Sequence, residues 1–298
     1  MPNTLGHIGV QVPLSRLLFK KAELQWIATG CLIPDLPWIA QRLLLSVHQL
    51  NPYTVAHYTT IQASLLFSTL LAAALSLFSR EPSRIFLLLL FNCAIHLLLD
   101  ACQIKWANGV LLFAPFSWQL TQFNLFWPEH PLSYLISGLG LFIFLFSWKE
   151  VISSRHLLHR HLFKRCGRTF TALALIILYL SGPLIFLDQS TIADHRYLTT
   201  LQDKTRRLDK PIELDRVPYT STTGTIKTLA HEDLHLTGRL PTENSLLSIK
   251  GKFCTIDSIR ATDIHIHSRY RDWMSFLGIF LTLIAWIPVI TTKGQNTP

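Results

Sequence analysis

The residues best suited to chemistry in this chain lie in its most apolar stretches. His96-Leu-Leu-Leu-Asp100 sets an imidazole and a carboxylate four positions apart inside the apolar run from Ile85 to Cys102. On a helix, positions i and i+4 share one face, so the two groups point the same way as metal ligands or as an acid/base pair. An Asp at the centre of a membrane helix costs about 2.5–3.5 kcal/mol on insertion scales, and such a cost usually has a functional reason. Two more groups of this kind are His57 and Asp35. Divalent metal sites combine His nitrogens with carboxylate oxygens and, when catalytic, keep one position open for water. The structural alternative is that each polar group bonds a neighbouring helix, with Asp35 as an N-cap.

These residues need helices to position them, and the composition supplies helices of the membrane kind. The 298 residues are 49% hydrophobic and only 15% charged, with mean hydropathy +0.32, which sets the chain apart from ordinary soluble domains. Thr59–Ser79, Ile85–Cys102, Leu132–Trp148, Thr169–Leu187 and Met274–Ile290 read as five spanning helices, each long enough for a bilayer core of about 30 Å. Leu24–Val47 is also apolar but is broken by Pro34-Asp35-Leu36-Pro37. Two prolines remove backbone donors, so the segment reads as a discontinuous helix. Irregular backbone at membrane depth must be buried in protein or line a cavity, and a carboxylate at such a break is one way to build an ion site.

Basic residues fix the expected orientation. They cluster at Arg16 to Lys21, at Arg80 and Arg84, and from Lys149 to Arg168. Placing all three clusters in the cytoplasm gives consistent alternation, with residues 188–273 outside and the C-terminus inside an inner (cytoplasmic) membrane. His57 and the His96/Asp100 pair then fall near the outer ends of adjacent helices. The start of the chain has no clean signal peptide, because Pro13 and Arg16 interrupt Leu5–Phe19. The five cysteines form no CxxC pair, so no disulfide framework is indicated.

Between Leu201 and Ser268 the pattern changes to short alternating runs punctuated by Gly224, Gly238, Pro241 and Gly251. Ile212–Val217, Thr225–Leu229, Asp233–Thr237, Leu246–Lys250 and Ser258–His267 read as strands. Five short strands suit a small all-β, OB-like barrel or sandwich. The expected fold class is therefore a polytopic α-helical membrane protein with a small extracytoplasmic β domain. Residues 1–190 form the helical domain, 191–272 the β-rich domain and 273–298 the last span and a short tail.

Other constellations are weaker. Lys105 and Asn108, directly after the pair, could hold an anionic headgroup or phosphate, although Lys105 could equally snorkel. Trp106, Trp118 and Trp127 suit an interfacial aromatic belt. Asp263-Ile-His265-Ile-His267 lines three polar groups on one strand face, read as a solvent-facing stripe ahead of a metal site. His231-Glu-Asp-Leu-His235 lacks the HExxH order. His156, His159 and His161 sit in the basic loop, which could meet anionic lipid. Aromatic interleaving for nucleic-acid binding is absent.

Together these residues resemble the YbcI/YdjM-like membrane proteins, a family held to be metal-dependent hydrolases. Its pattern has an early His, a Gly-x-x-x-Pro-Asp element, a His heading the next helix, a His-x-x-x-Asp helix, then Gly and a Pro-Phe pair. Here these are His7, Gly30/Pro34/Asp35, His57, His96/Asp100, Gly109 and Pro115/Phe116, over roughly residues 1–150. Pro37-Trp38 stands where the family often has a second acid and a His. Pro52-Tyr-Thr-Val-Ala-His57 replaces its usual His-Arg-Gly. The resemblance adds His7 to the ligand set, but the charge-derived topology puts His7 on the cytoplasmic side, away from the rest, so either the start of the chain folds back into the bundle or His7 is not a ligand.

The expected activity is hydrolysis of a lipid or lipid-linked (phospho)ester at the outer membrane face. His57, His96, Asp100 and His7 would hold a divalent ion, with Asp35 as further ligand or general base and Lys105 and Asn108 on the substrate. Zinc suits the mixed ligands best, and manganese or magnesium is compatible with them. The competing expectation is a non-enzymatic scaffold whose residues 201–268 bind a cell-envelope partner or glycan.

Overall fold

The computed structural model describes residues 3–46, 50–153 and 166–291. The chain opens with α1 (Thr4–Leu18), α2 (Leu24–Leu32) and α3 (Leu36–Leu45), continues through α4 (Pro52–Gln62), α5 (Leu65–Ser76), α6 (Pro82–Ala101), α7 (Pro131–Phe146) and α8 (Trp148–Ser153), and then forms α9 (Cys166–Ser181), α10 (Leu187–Ala193) and α11 (Leu198–Gln202). A five-stranded barrel follows, and α12 (Tyr270–Thr291) returns to the helical bundle. Helix starts carry the expected local chemistry. Asn3 accepts a hydrogen bond from Gly6 N and caps α1. Asn51 accepts from Tyr53 N and Thr54 N ahead of Pro52. Pro82 and Pro131 occupy first-turn positions where no amide donor is missed.

Among the described residues, three helical stretches are long and apolar enough to cross a membrane: Pro82–Ala101, Gly167–Ala193 and Tyr270–Thr291. Apolar side chains such as Leu173, Ile177, Phe280 and Leu283 face outward from the last two. Two of the expected spans differ. Thr59–Ser79 is not one helix, since α4 and α5 meet at Ala63–Ser64 with a bend of 68°. Ser64 is extended there (ψ 164°), and Leu65 N bonds Leu111 O instead of continuing the helix ladder. Leu132–Trp148 becomes α7, only 16 residues long, short of the roughly 20 that a bilayer core requires. The histidines of the basic loop, His156, His159 and His161, lie outside the described residues.

Helix α1 is built into the bundle. His7, Gln11 and Ser15 are fully buried. Its backbone touches α7 through two glycines: a Cβ on Gly140 would collide with Leu5 O, and one on Gly9 with Ile136 O. Small residues of this kind let membrane helices approach closely. Ser15 Oγ donates to Asn92 Oδ1 of α6 (3.1 Å), and Arg84 of α6 bonds Lys20 O and Lys21 O. The end of α1 thus meets the start of α6, and the helices run antiparallel with His7 beside the end of α6.

The barrel strands are β1 (Pro211–Thr220), β2 (Thr225–Lys227), β3 (Asp233–Thr237), β4 (Ser245–Phe253) and β5 (Ser258–His267). They close in the order β1-β2-β3-β5-β4, with β3 and β5 parallel and the other pairs antiparallel. Alternate residues turn inward, so Ile212, Ile226, Leu234, Leu247, Ile249, Phe253 and Ile259 fill the interior. Arg207 is also buried, and donates to both Glu232 oxygens (2.9 and 2.6 Å) and to the carbonyls of Thr200, Leu201 and Ile256.

Candidate metal centre

Asp35 sits in a 3-10 turn, Ile33–Asp35, between α2 and α3. Pro34 and Pro37 set that break. Asp35 occupies the N-cap position of α3 but makes no side-chain cap bond. Its carboxylate instead reaches α6, where Oδ1 lies 3.3 Å from His96 Nε2. One turn further along α6, Asp100 Oδ2 is 3.8 Å from the same nitrogen. Its other oxygen, Oδ1, is 3.5 Å from His7 Nε2. The rings of His7 and His96 stack face to face, 3.7 Å apart and within 4° of parallel. Ligand atoms of His7, His96 and Asp100 all lie within 4.8 Å of one another.

Both histidines are fully buried, and Asp35 and Asp100 nearly so. Despite these short approaches, His7 Nε2, both His96 nitrogens and Asp35 Oδ1 make no hydrogen bond among the described residues. A buried polar atom left unpaired costs about 1–3 kcal/mol, and one nitrogen each from His7 and His96, grouped with an Asp100 oxygen, fits a cation with mixed nitrogen and oxygen ligands. Around them, Gln11 lies 3.4 Å from His7 Nδ1 and accepts from Cys31 Sγ at its other end. Lys105 Nζ is 3.3 Å from Asp100 Oδ2 and is buried, so it does not snorkel to the interface.

The placement of His7 is a correction to the charge-derived topology. α1 folds into the bundle and brings His7 against His96, whereas Lys/Arg counting had separated them. His57 moves the other way. It is not part of the group, and its Nδ1 lies 3.0 Å from Ser190 Oγ of α10. The bend after Gln62 turns α4 away from the line of α5 that the sequence implied. Asn108 donates to Asp215 Oδ2 of the barrel (3.2 Å) and lines the same cavity as Lys105. Gln11 was not visible as a supporting residue, since only the packing of α1 brings it to the site.

No family model matches the chain, and neither a curated protein nor a solved structure is similar to it.

A second group forms where the barrel meets the loop before α7. Glu129 Oε2 lies 3.1 Å from His265 Nε2, and Oε1 lies 3.0 Å from His267 Nδ1. Trp127 stacks on His265 at 3.6 Å and meets Trp106 edge-on. His265 and His267 thus face protein, and of the three residues in the stripe Asp263 alone is exposed. Trp106 and Trp127 pack against the barrel, Trp127 on His265 and Trp106 under Lys250. His267 Nε2 is 2.8 Å from Ser248 Oγ, which donates to Asp215 Oδ1. Burial opposes charge on Glu129, but the hydrogen bonds from His265 and His267 outweigh it and hold the carboxyl well below the usual range. Burial also lowers His267, against the pull of Glu129. No local spacing signals Glu129, which lies far along the chain from β5.

Proposed function

We propose that this chain is a membrane-embedded, metal-dependent hydrolase acting on a lipid or lipid-linked (phospho)ester, of the YbcI/YdjM-like kind. The observation that carries the reading is the stacked pair His7 and His96, whose Nε2 atoms face Asp100 and Asp35 in a buried site without forming hydrogen bonds. His7, His96 and Asp100 would hold the ion, and zinc suits two imidazoles with a carboxylate. A bound divalent ion supplies Lewis acidity and a water of lowered pKa.

The chain's own groups prepare this site. The Gln11 amide presents either its oxygen or its nitrogen after a half-turn, so it can accept from His7 Nδ1–H and leave the Nε2 lone pair free. Asp35, whose Oδ1 accepts no hydrogen bond, serves as a further ligand or as the general base. Lys105 neutralises part of the charge of Asp100 and stands ready for an anionic substrate, with Asn108 at the same cavity wall. Burial under the barrel and helices keeps bulk water from the carboxylates, which strengthens every charge interaction there.

The outer face of the inner membrane is the proposed location, from the basic clusters that the sequence places on the opposite side. The strand order of the barrel supports an OB-like domain. The test is hydrolysis itself. Purified protein in lipid nanodiscs should release product from a lipid phosphoester, and Asp35→Asn or His96→Ala should lower turnover by at least about a hundredfold. Turnover unaltered in both variants overturns the reading.

A further inference from the structure

A cavity of about 360 Å³ lies between the helices and the barrel, and Asp100 and Lys105 form part of its wall. Arg42, Arg196, Arg216 and Arg271 line it too, so with Lys105 there are five basic side chains against three acids, Asp100, Asp215 and Asp272. The acids already have partners. Lys105 approaches Asp100, Arg216 Nη2 donates to Asp272 (3.1 Å), and Ser248 and Asn108 donate to Asp215. Two arginines keep spare donors: Nη1 of Arg196 and Nη1 of Arg216 are buried and make no hydrogen bond among the described residues. Arg196 is held in place by its stack on Trp38, 5.3 Å from the ring centroid. Burial and the neighbouring Arg271 bring the Arg216 guanidinium down to about 10, so it remains charged at neutral pH and lacks a full set of acceptors.

A second cavity, about 270 Å³, runs between α3 and the first turns of α12. Ile39, Leu43, Phe276 and Ile279 give it apolar walls, and Asp35 lies along it. Trp38, Arg42, Arg271 and Asp272 line both cavities, so the two adjoin across these four side chains. Leu43 and Phe276 are exposed at 69% and 58%, which opens the groove toward the apolar flank of the bundle. Asp35 thus borders the apolar groove, and Asp100 borders the cationic chamber.

We propose that the adjoining cavities together bind a lipid phosphate, with the phosphate among Arg196, Arg216, Arg271 and Lys105 and one acyl chain along the groove between α3 and α12. Guanidinium groups match phosphate oxygens in a fixed fork, and the unpaired Nη1 donors are the ones a phosphate satisfies. The inference rests on the hydrolase reading above and names its substrate class: an ester that carries both a phosphate and a chain, presented to the two carboxylates.

The test uses the full-length protein in detergent, with fluorescently tagged phosphatidic acid as probe and anisotropy as readout. Unlabelled dioleoyl phosphatidic acid should displace the probe. Dioleoylglycerol, which lacks the phosphate, and inorganic phosphate, which lacks the chain, should each compete about a hundredfold less well. Arg196→Gln and Arg271→Gln should each weaken binding about tenfold, the loss expected for a charged hydrogen bond. Ile279→Trp, which fills the groove, should do the same, and Ile256→Trp on the barrel surface should have no effect. Melting curves of each variant check that it folds, and the two arginine variants stand in for one another. Equal competition by dioleoylglycerol or by inorganic phosphate overturns the proposal, as does full affinity in the folded Arg and Trp variants. Metal content of the same samples separates the two readings. Binding that keeps this pattern in a metal-free protein sustains the lipid-phosphate site and removes the hydrolase. Metal present without this pattern does the reverse.

Discussion

His7 and His96 lie face to face, ring centroids 3.7 Å apart and planes within 4°, although one is on α1 and the other on α6. Two stacked imidazoles gain little from one another when both are buried. Their common feature is that each aims Nε2 at a carboxylate, His7 at Asp100 and His96 at Asp35. In the proposed ion site the stack supplies two arms, and the precision of that site depends on what holds each ring.

For His7 that hold is Gln11. Gln11→Leu removes the partner of Nδ1 and should weaken metal affinity about 10–100-fold, the usual cost of losing such a support. Gln11→Glu, which keeps an acceptor, should restore most of it. Metal titration with a competing chelator checks both, and equal loss in the two variants would assign Gln11 a packing role only.

His57 offers the opposite expectation. Its Nδ1 contacts Ser190 Oγ, outside the His7/His96/Asp100 group. His57→Ala should leave metal content unchanged while lowering the melting temperature modestly, by the loss of one partly buried hydrogen bond worth about 1 kcal/mol.

The approach of α1 to α7 is set by Gly9 and Gly140. Gly140→Val drives a side chain into Leu5 O and must push α1 outward. It should destabilise the bundle by about 3 kcal/mol or more and lower metal content with it, since His7 rides on α1. Gly138→Ala, where a Cβ meets open space, should change neither. Thermal unfolding and elemental analysis of the pair provide the check.

The clamp between the barrel and the loop predicts acid sensitivity. Glu129 has its carboxyl pKa below the ordinary 4.5 in the folded protein, so its contribution is present above pH 4.5 and is lost as pH falls through the folded value. His267 is lowered from 6.5, so the unfolded chain takes up its proton first, and stability again falls as pH drops below 6.5. Both act in the same direction. Stability should decline on acidification from pH 6.5, and Glu129→Gln should remove the portion of the decline below pH 4.5 while costing about 1–3 kcal/mol at neutral pH. Melting temperatures across pH 4–8 test this.

Much of the fold could be read from alternation and punctuation. All five barrel strands fall where period-2 runs predict them, and Gly224, Gly238 and Pro241 lie between strands, whereas Gly251 falls inside β4 at a register shift. α6 and α12 follow from long apolar runs, and the break at Asp35 follows from Pro34 and Pro37. The bend at Ala63–Ser64 was hidden, since no Gly or Pro marks it and a contact with Leu111 decides it. His7 was misplaced for a related reason. Lys/Arg counting treats the first 21 residues as a cytoplasmic segment, yet α1 has its basic residues only at its end, and glycine contacts with α7 draw the rest inward. Glu129 and the arginines of the chamber come from segments far apart in the chain, where no local spacing could join them.

The central claim is that His7, His96, Asp100 and Asp35 form one metal centre. Its most direct test is the metal content of the detergent-purified protein, measured by elemental analysis for the wild type and for His7→Ala, His96→Ala and Asp100→Ala. The account predicts a divalent ion in the wild type, with zinc the favoured metal, and near-background content in each variant whose melting curve shows it folded. Metal content equal to wild type in the folded His7→Ala and His96→Ala proteins, or no metal in the wild type after zinc, manganese or magnesium is supplied, contradicts it.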